Sequence, residues 1–148
     1  MSPLLDIADL LVGALNAETF SLPFKAERVY QLPADAENAD LQHYDSLRVY
    51  IVPGGIISTL STRDSTEDEC VVTVGILKRV PDQAELDTLI SFAGELADWF
   101  RFRHFDIGGL RAQWSAVEVN PIFAPRALTE RRQFASVIAV TYRVHRGV

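Results

Sequence analysis

Residues 70–100, CVVTVGILKRVPDQAELDTLISFAGELADWF, decide the fold. The first eleven are almost continuously apolar and β-branched, which predicts a strand in the middle of a sheet, covered on both faces. Asp82 and Glu85 then stand three apart behind Pro81, the spacing of a capping box that satisfies the free amides of a first helical turn. Leu86, Leu89, Ile90, Ala93, Leu96, Ala97 and Phe100 recur at three- and four-residue spacing, with Phe92 and Trp99 widening the stripe, so an amphipathic helix follows the strand. Arg101, Arg103 and His104 suit the negative end of its dipole, and Gly108 and Gly109 mark the exit.

Working outward toward the N-terminus, PLLDIADLLVGALNA places Leu4, Ile7, Leu11, Ala14 and Leu15 on one helical face and leaves Leu5, Ala8 and Val12 on the other. The apolar arc is wide enough for a deeply packed helix. A short strand follows over 26–32, and Pro23 and Pro33 beside it favour an edge position. SLRVYIVPGG reads as a strand that Pro53, Gly54 and Gly55 stop. Residues 53–70 are then either a mobile loop or a hairpin arm that lengthens two strands; DSTEDE within them reads as a solvated acidic loop.

Toward the C-terminus, RAQWSAVEVN is a strand, PIFAPRALTERR a turn-rich connection, and QFASVIAVTYRVHR the longest alternating strand. Phe134, Ser136, Ile138, Val140, Tyr142 and Val144 share one of its faces. Ala135, Val137, Ala139, Thr141 and Arg143 share the other, which suits a helix near the alanines and a second surface near Arg143. The order helix, strands, helix, strands predicts a single α+β domain over residues 1–148, with a mixed or mainly antiparallel sheet of about four to five strands packed by two main helices.

A chain of 148 residues with 48% hydrophobic and 23% charged residues suffices for one core and is globular in composition. No apolar run reaches the roughly 18 residues of a membrane helix, and no signal-peptide pattern opens the chain, so no membrane partner is expected and synthesis is cytosolic. The net charge of −6 is unevenly placed: residues 1–100 hold 6 Lys+Arg against 17 Asp+Glu, and residues 101–148 hold 8 arginines against 3 acids. Such asymmetry either solvates two faces of one fold or lets one copy's basic side meet its neighbour's acidic side. An acidic chain is a poor general binder of nucleic acid.

Motifs for chemistry are missing. His43, His104 and His145 have no partners at metal-ligand spacing, and each is accounted for as a surface histidine. DSTEDE lacks the alternating ligands and turn glycine of a calcium loop. No nucleophile elbow surrounds a serine, and Cys70, at the start of an apolar strand, is expected to be buried. The glycine pairs in PGG and IGG lack phosphate-binding context. The sequence therefore predicts no catalytic residue, no cofactor and no metal. Arg126, Arg131 and Arg132 stand beside Ile122, Phe123 and Leu128 in a proline-stiffened connection; arginine next to such anchors is common at interfaces, though a loop capping the core accounts for it equally.

Taken in order, IADLLVGALNA, FSLPFKAERVY, LRVYIVPGG, VTVGILKRV with its acidic-capped helix ending LADWF, and NPIFAPRALTERRQFASVIAVTYRV resemble the tail terminator or tail-completion subunits of tailed bacteriophages. The resemblance spans most of the chain. It implies a mixed α/β subunit of a hexameric ring that stops tail-tube growth and offers a joining surface to the head, a virion protein with no enzymatic activity. Its implied partners are further copies of itself, the tail tube protein and the head–tail connector, without sequence-specific nucleic-acid binding. On this reading Phe123, Arg126, Arg131, Arg132 and Arg143 face a neighbouring subunit, with Asp64, Glu67, Asp68 and Glu69 as their counterpart or as a lumen lining that repels DNA. A head–tail adaptor, another minor tail component, and a monomeric ligand-binding or enzymatic domain are the alternatives.

Overall fold

A computed structural model describes residues 3–30, 46–62, 65–79, 83–107, 110–119 and 133–147. Helix α1 (Pro3–Ala17) is followed by strands β1 (Lys25–Arg28), β2 (Arg48–Thr62) and β3 (Ser65–Arg79), helix α2 (Gln83–Phe100), and strands β4 (His104–Ile107), β5 (Leu110–Val119) and β6 (Gln133–Gly147). The strands form one six-stranded mixed sheet in the order β1-β2-β3-β6-β5-β4. Only β1 runs parallel to its neighbour; the other pairs are antiparallel. The sheet curls into a half-barrel, so that α1 touches β1 at one edge and β4 at the other, while α2 lies over β5 and β6.

Both helices cover the same face. Phe134, Ser136, Ile138, Val140, Tyr142 and Val144 of β6 are all buried there, beside Cys70, Val72, Val74 and Ile76 of β3 and Val49 and Ile51 of β2. Ile7, Ala8, Leu11 and Leu15 of α1 and Leu89, Phe92, Ala93, Leu96 and Phe100 of α2 complete the core. At roughly 1.5–3 kcal/mol per large apolar side chain, this burial is the main stabilising term. The segment after α1 is clamped onto α2: Phe20 and Phe24 pack on Phe92, Phe20 also meets Trp99, and the Ser21 hydroxyl and amide both donate to the Glu95 carboxylate. Asn16 at the end of α1 satisfies both backbone groups of Ala26, accepting its N–H at 2.8 Å and donating to its carbonyl at 3.1 Å, and Arg28 reaches Asp9 at 3.1 Å. These bonds hold β1 against α1.

Four expectations are corrected. The sheet has six strands rather than four to five, because β4 forms over residues 104–107, where the sequence shows only the end of α2 at His104 and its exit glycines. That helix ends at Phe100, and Phe102, with φ of 63°, makes the turn that glycine usually makes. Pro53-Gly54-Gly55 does not stop β2; it forms a bulge, with Pro53 opposite Val72 and Gly55 opposite Val71, and the strand runs on to Thr62. A bulge and a strand end use the same residues, since both need a backbone that leaves the ladder. β3 is central as expected, yet helices cover only one of its faces, and no described helix covers the Ala135, Val137 and Ala139 face of β6.

Candidate assembly surface

Beyond the bulge, β2 and β3 form a hairpin arm, and the acidic run belongs to a strand rather than to a solvated loop: β3 starts at Ser65. Alternation then splits the acids. Asp68 turns to the helix-covered side, is only 3% exposed, and accepts the Ser58 hydroxyl at 2.6 Å. Glu67 and Glu69 turn to the helix-free side, where Arg143 of β6, opposite Glu69 in the register, lies 3.8 Å from Glu67 and 3.5 Å from Glu69. The structure thus brings Arg143, Glu67 and Glu69 together within one chain. Asp64, Phe123, Arg126, Arg131 and Arg132 lie outside the described residues.

On the arm itself Ile56, Ile57 and Leu60 are exposed, Leu60 by 77%. From Val49 to Thr62 there is no charged residue. Water-facing strands normally carry lysine or another charge that discourages pairing with foreign strands. Here the protection is confined to two irregularities, at Pro53/Gly55 and Leu60/Thr62. β1 pairs with residues 48–51 of β2, and Val29 adds one bond to the Ile51 carbonyl; among the described residues nothing continues along the outer edge beyond. The signal for this surface in the sequence is the fourteen-residue uncharged stretch, hidden because Pro-Gly-Gly ends a strand as readily as it bulges one.

A second exposed feature stands at the other edge of the sheet. Phe102 is 83% exposed, in a left-handed backbone conformation that costs a non-glycine residue about 1–2 kcal/mol. Its ring rests 5.2 Å from that of Trp114, and Arg103 beside it stacks 4.0 Å over Trp99 while donating to the Trp99 carbonyl at 2.8 Å. These contacts offset the backbone cost. A cleft of about 420 Å³ lies here, lined by Asp98, Trp99, Arg101, Phe102, Arg103, His104 and Phe105. Asp98 is paired with Arg101 at 3.4 Å.

Beneath this turn the Tyr142 hydroxyl is buried without a hydrogen-bond partner, as are the indole nitrogens of Trp99 and Trp114. Burial pushes the Tyr142 phenol far above its usual range, and nearby Arg103 offsets only part of that. The unfolded chain releases this proton near pH 10 while the folded chain keeps it, so the contribution is intact below pH 10 and is lost as pH rises above it. Tyr142→Phe is expected to leave stability at pH 7 unchanged within about 1 kcal/mol, because it removes a hydroxyl that makes no bond. Above pH 10 the wild type is expected to fall behind the variant by roughly 1 kcal/mol per pH unit. Urea unfolding of both proteins at pH 7 and pH 11 checks this; parallel behaviour at both pH values would contradict it.

Another cleft, of about 230 Å³, is lined by Leu22, Pro23, Ser46, Leu47, Lys78, Glu85, Thr88 and Leu89. Its charged groups are bonded to each other, Lys78 Nζ to the Glu85 carboxylate, rather than converging on the space. Among the described residues no three His, Cys, Asp or Glu side chains gather as metal ligands, and no helix is long and apolar enough to cross a membrane.

The molecule is therefore an α+β half-barrel whose helices share one face. No family model and no curated protein sequence matches the chain. A solved structure of a protein whose name carries no function matches 97% of this chain and 96% of its own, at 22% identity and a TM-score of 0.54. This likeness extends to the fold alone.

Proposed function

We propose that this chain is a structural virion protein of a tailed bacteriophage that caps the tail tube as an oligomeric ring, ending tube elongation and providing the surface to which the head joins. The observation that carries the assembly reading is the β2–β3 arm, an uncharged edge bearing Ile56, Ile57 and Leu60 in water. Exposed aliphatic surface of this kind is a hazard to a monomer and an asset to a subunit. The tail-terminator role rests on the sequence resemblance, with which the two-helix mixed-sheet domain agrees. The ring would hold copies of this chain, six by that resemblance, between the tail tube protein and the head–tail connector, without catalysis or a cofactor.

The arginine-bearing connection supplies a test independent of the arm. Arg131→Glu combined with Arg132→Glu is expected to abolish oligomer formation and tail completion while the monomer keeps its fold, because reversing two charges at an interface sets like against like. Complementation of a terminator-defective phage, scored as infectious particles, checks it; normal particle yield would remove the connection from the interface. The competing reading, a monomeric ligand-binding domain, has the 230 Å³ cleft in its favour, but the polar groups of that cleft are already paired.

A further inference from the structure

Among the described residues each edge of the sheet is half covered, and the two covers are diagonal to one another. β1, four residues long, pairs with the start of the fifteen-residue β2, and no described strand pairs with the outer side of its distal part. β4, also four residues long, pairs with residues 110–113 of the ten-residue β5, and one further bond joins the Trp114 N–H to the Arg103 carbonyl. Residues 116–119 of β5 then have β6 on one side and no described strand on the other. Bulges bound both open stretches: Pro53/Gly55 and Leu60/Thr62 on β2, and Trp114/Ala116 on β5. The regular stretches between and beyond them are residues 55–60 and 116–119, about 20 and 13 Å long at roughly 3.3 Å per residue.

Resting on the assembly reading above, we infer that the open edge of β2 in one copy adds as a strand to the open edge of β5 in a second copy, so that the sheet continues from subunit to subunit. Two observations favour a second copy of this chain as the occupant. The two edges lie on opposite sides of one sheet, which is the arrangement a head-to-tail contact requires, and the longer β2 stretch spans the four residues of the β5 stretch. The β2 stretch brings no charge into the contact, so no ion is stripped of water there, and Glu118 is the single charged residue of the 116–119 stretch. Phe102, 83% exposed near the point where β4 starts, is an aromatic anchor available to Leu60, which lies on the helix-covered face of the arm. Such anchors dominate interface energetics. Because the two surfaces differ, the contact propagates, closing into a ring if the rotation per subunit permits and into a fibre if it does not.

Two double variants test the pairing, each at exposed positions so that the monomer fold is preserved: Ile57→Lys with Leu60→Lys on the arm, and Phe102→Asp with Ala116→Asp on the receiving edge. Aspartate tolerates the left-handed backbone at position 102 better than phenylalanine does. Each variant alone is expected to associate about a hundredfold more weakly than wild type and to sediment as a monomer. An equimolar mixture is expected to give a dimer and nothing larger, because one sound arm and one sound edge remain. If the edge variant alone assembles as wild type does, the arms pair with each other and the inference fails; if both variants assemble, it fails while the assembly reading stands. A wild type that stays monomeric at every concentration overturns the assembly reading and the inference with it.

Discussion

Phe92→Ala is expected to lower stability by about 3–5 kcal/mol, the largest loss of any single truncation considered for this chain. Phe92 is 1% exposed in the middle of α2 and meets Phe20 at 6.3 Å and Phe24 at 5.4 Å between ring centres. Removing the ring leaves a cavity that three elements border: α2, the segment after α1, and the sheet beneath. Neither helix can slide to fill it, because Asn16 and the Ser21–Glu95 bonds hold the first segment where it is. For a domain of this length the loss corresponds to a fall in Tm on the order of 10 °C. Leu60→Ala is the contrast, exposed and expected to change stability by less than about 0.5 kcal/mol. Thermal unfolding followed by circular dichroism measures both; equal midpoints for the two variants would show that the core is not where burial places it.

Gly54→Ala is the second large effect. A Cβ at position 54 would lie 2.7 Å from the Val71 carbonyl oxygen, a backbone atom of the central strand that cannot rotate away. Either the bulge opens or β3 shifts, at a cost of about 1–3 kcal/mol. At the adjacent Gly55 a Cβ meets nothing within 4 Å, and Gly55→Ala is expected to be neutral or slightly stabilising. The pair separates a steric requirement at one residue from a general preference for glycine. Urea midpoints for the two variants decide it, and a tolerated Gly54→Ala would mean that the bulge does not need this close approach. Since the bulge sets where the arm points, Gly54→Ala should also weaken self-association.

The legible part of this fold was the part that repeats. Six residues of β6 at period two are all buried, as their alternation predicts, and the α2 stripe from Leu89 to Phe100 lies in the core at the expected spacing. What escaped were interruptions. Pro53-Gly54-Gly55 looks the same in sequence whether it ends a strand or bulges it, because the deciding fact is the Val71 carbonyl across the ladder. The end of α2 carried no glycine: Phe102 takes the left-handed position and is supported by Trp114, a contact twelve residues away that no local pattern announces. β4 was hidden for the same reason. The acidic run reads as a solvated loop in the sequence, because its division into buried Asp68 and Arg143-facing Glu67 and Glu69 depends on the strand register.

Of the residues expected at a subunit interface, Arg143, Glu67 and Glu69 satisfy one another within the chain, at distances and exposures where such pairs contribute about 1 kcal/mol or less. Their pairing leaves the helix-free face near neutral, a condition for bringing it close to another subunit. The arm, by contrast, offers aliphatic area without charge, and on the proposed function the association should be only partly weakened by salt, which screens the exposed flanks but not strand pairing.

The most direct test of the central claim is the sedimentation mass of the purified protein over a wide concentration range, alone and in the presence of isolated tail tubes. The account predicts a species several times the 16.5 kDa of one chain, and protein that travels with the tubes and caps them. A 16.5 kDa monomer at every concentration, with none bound to tubes, would contradict it.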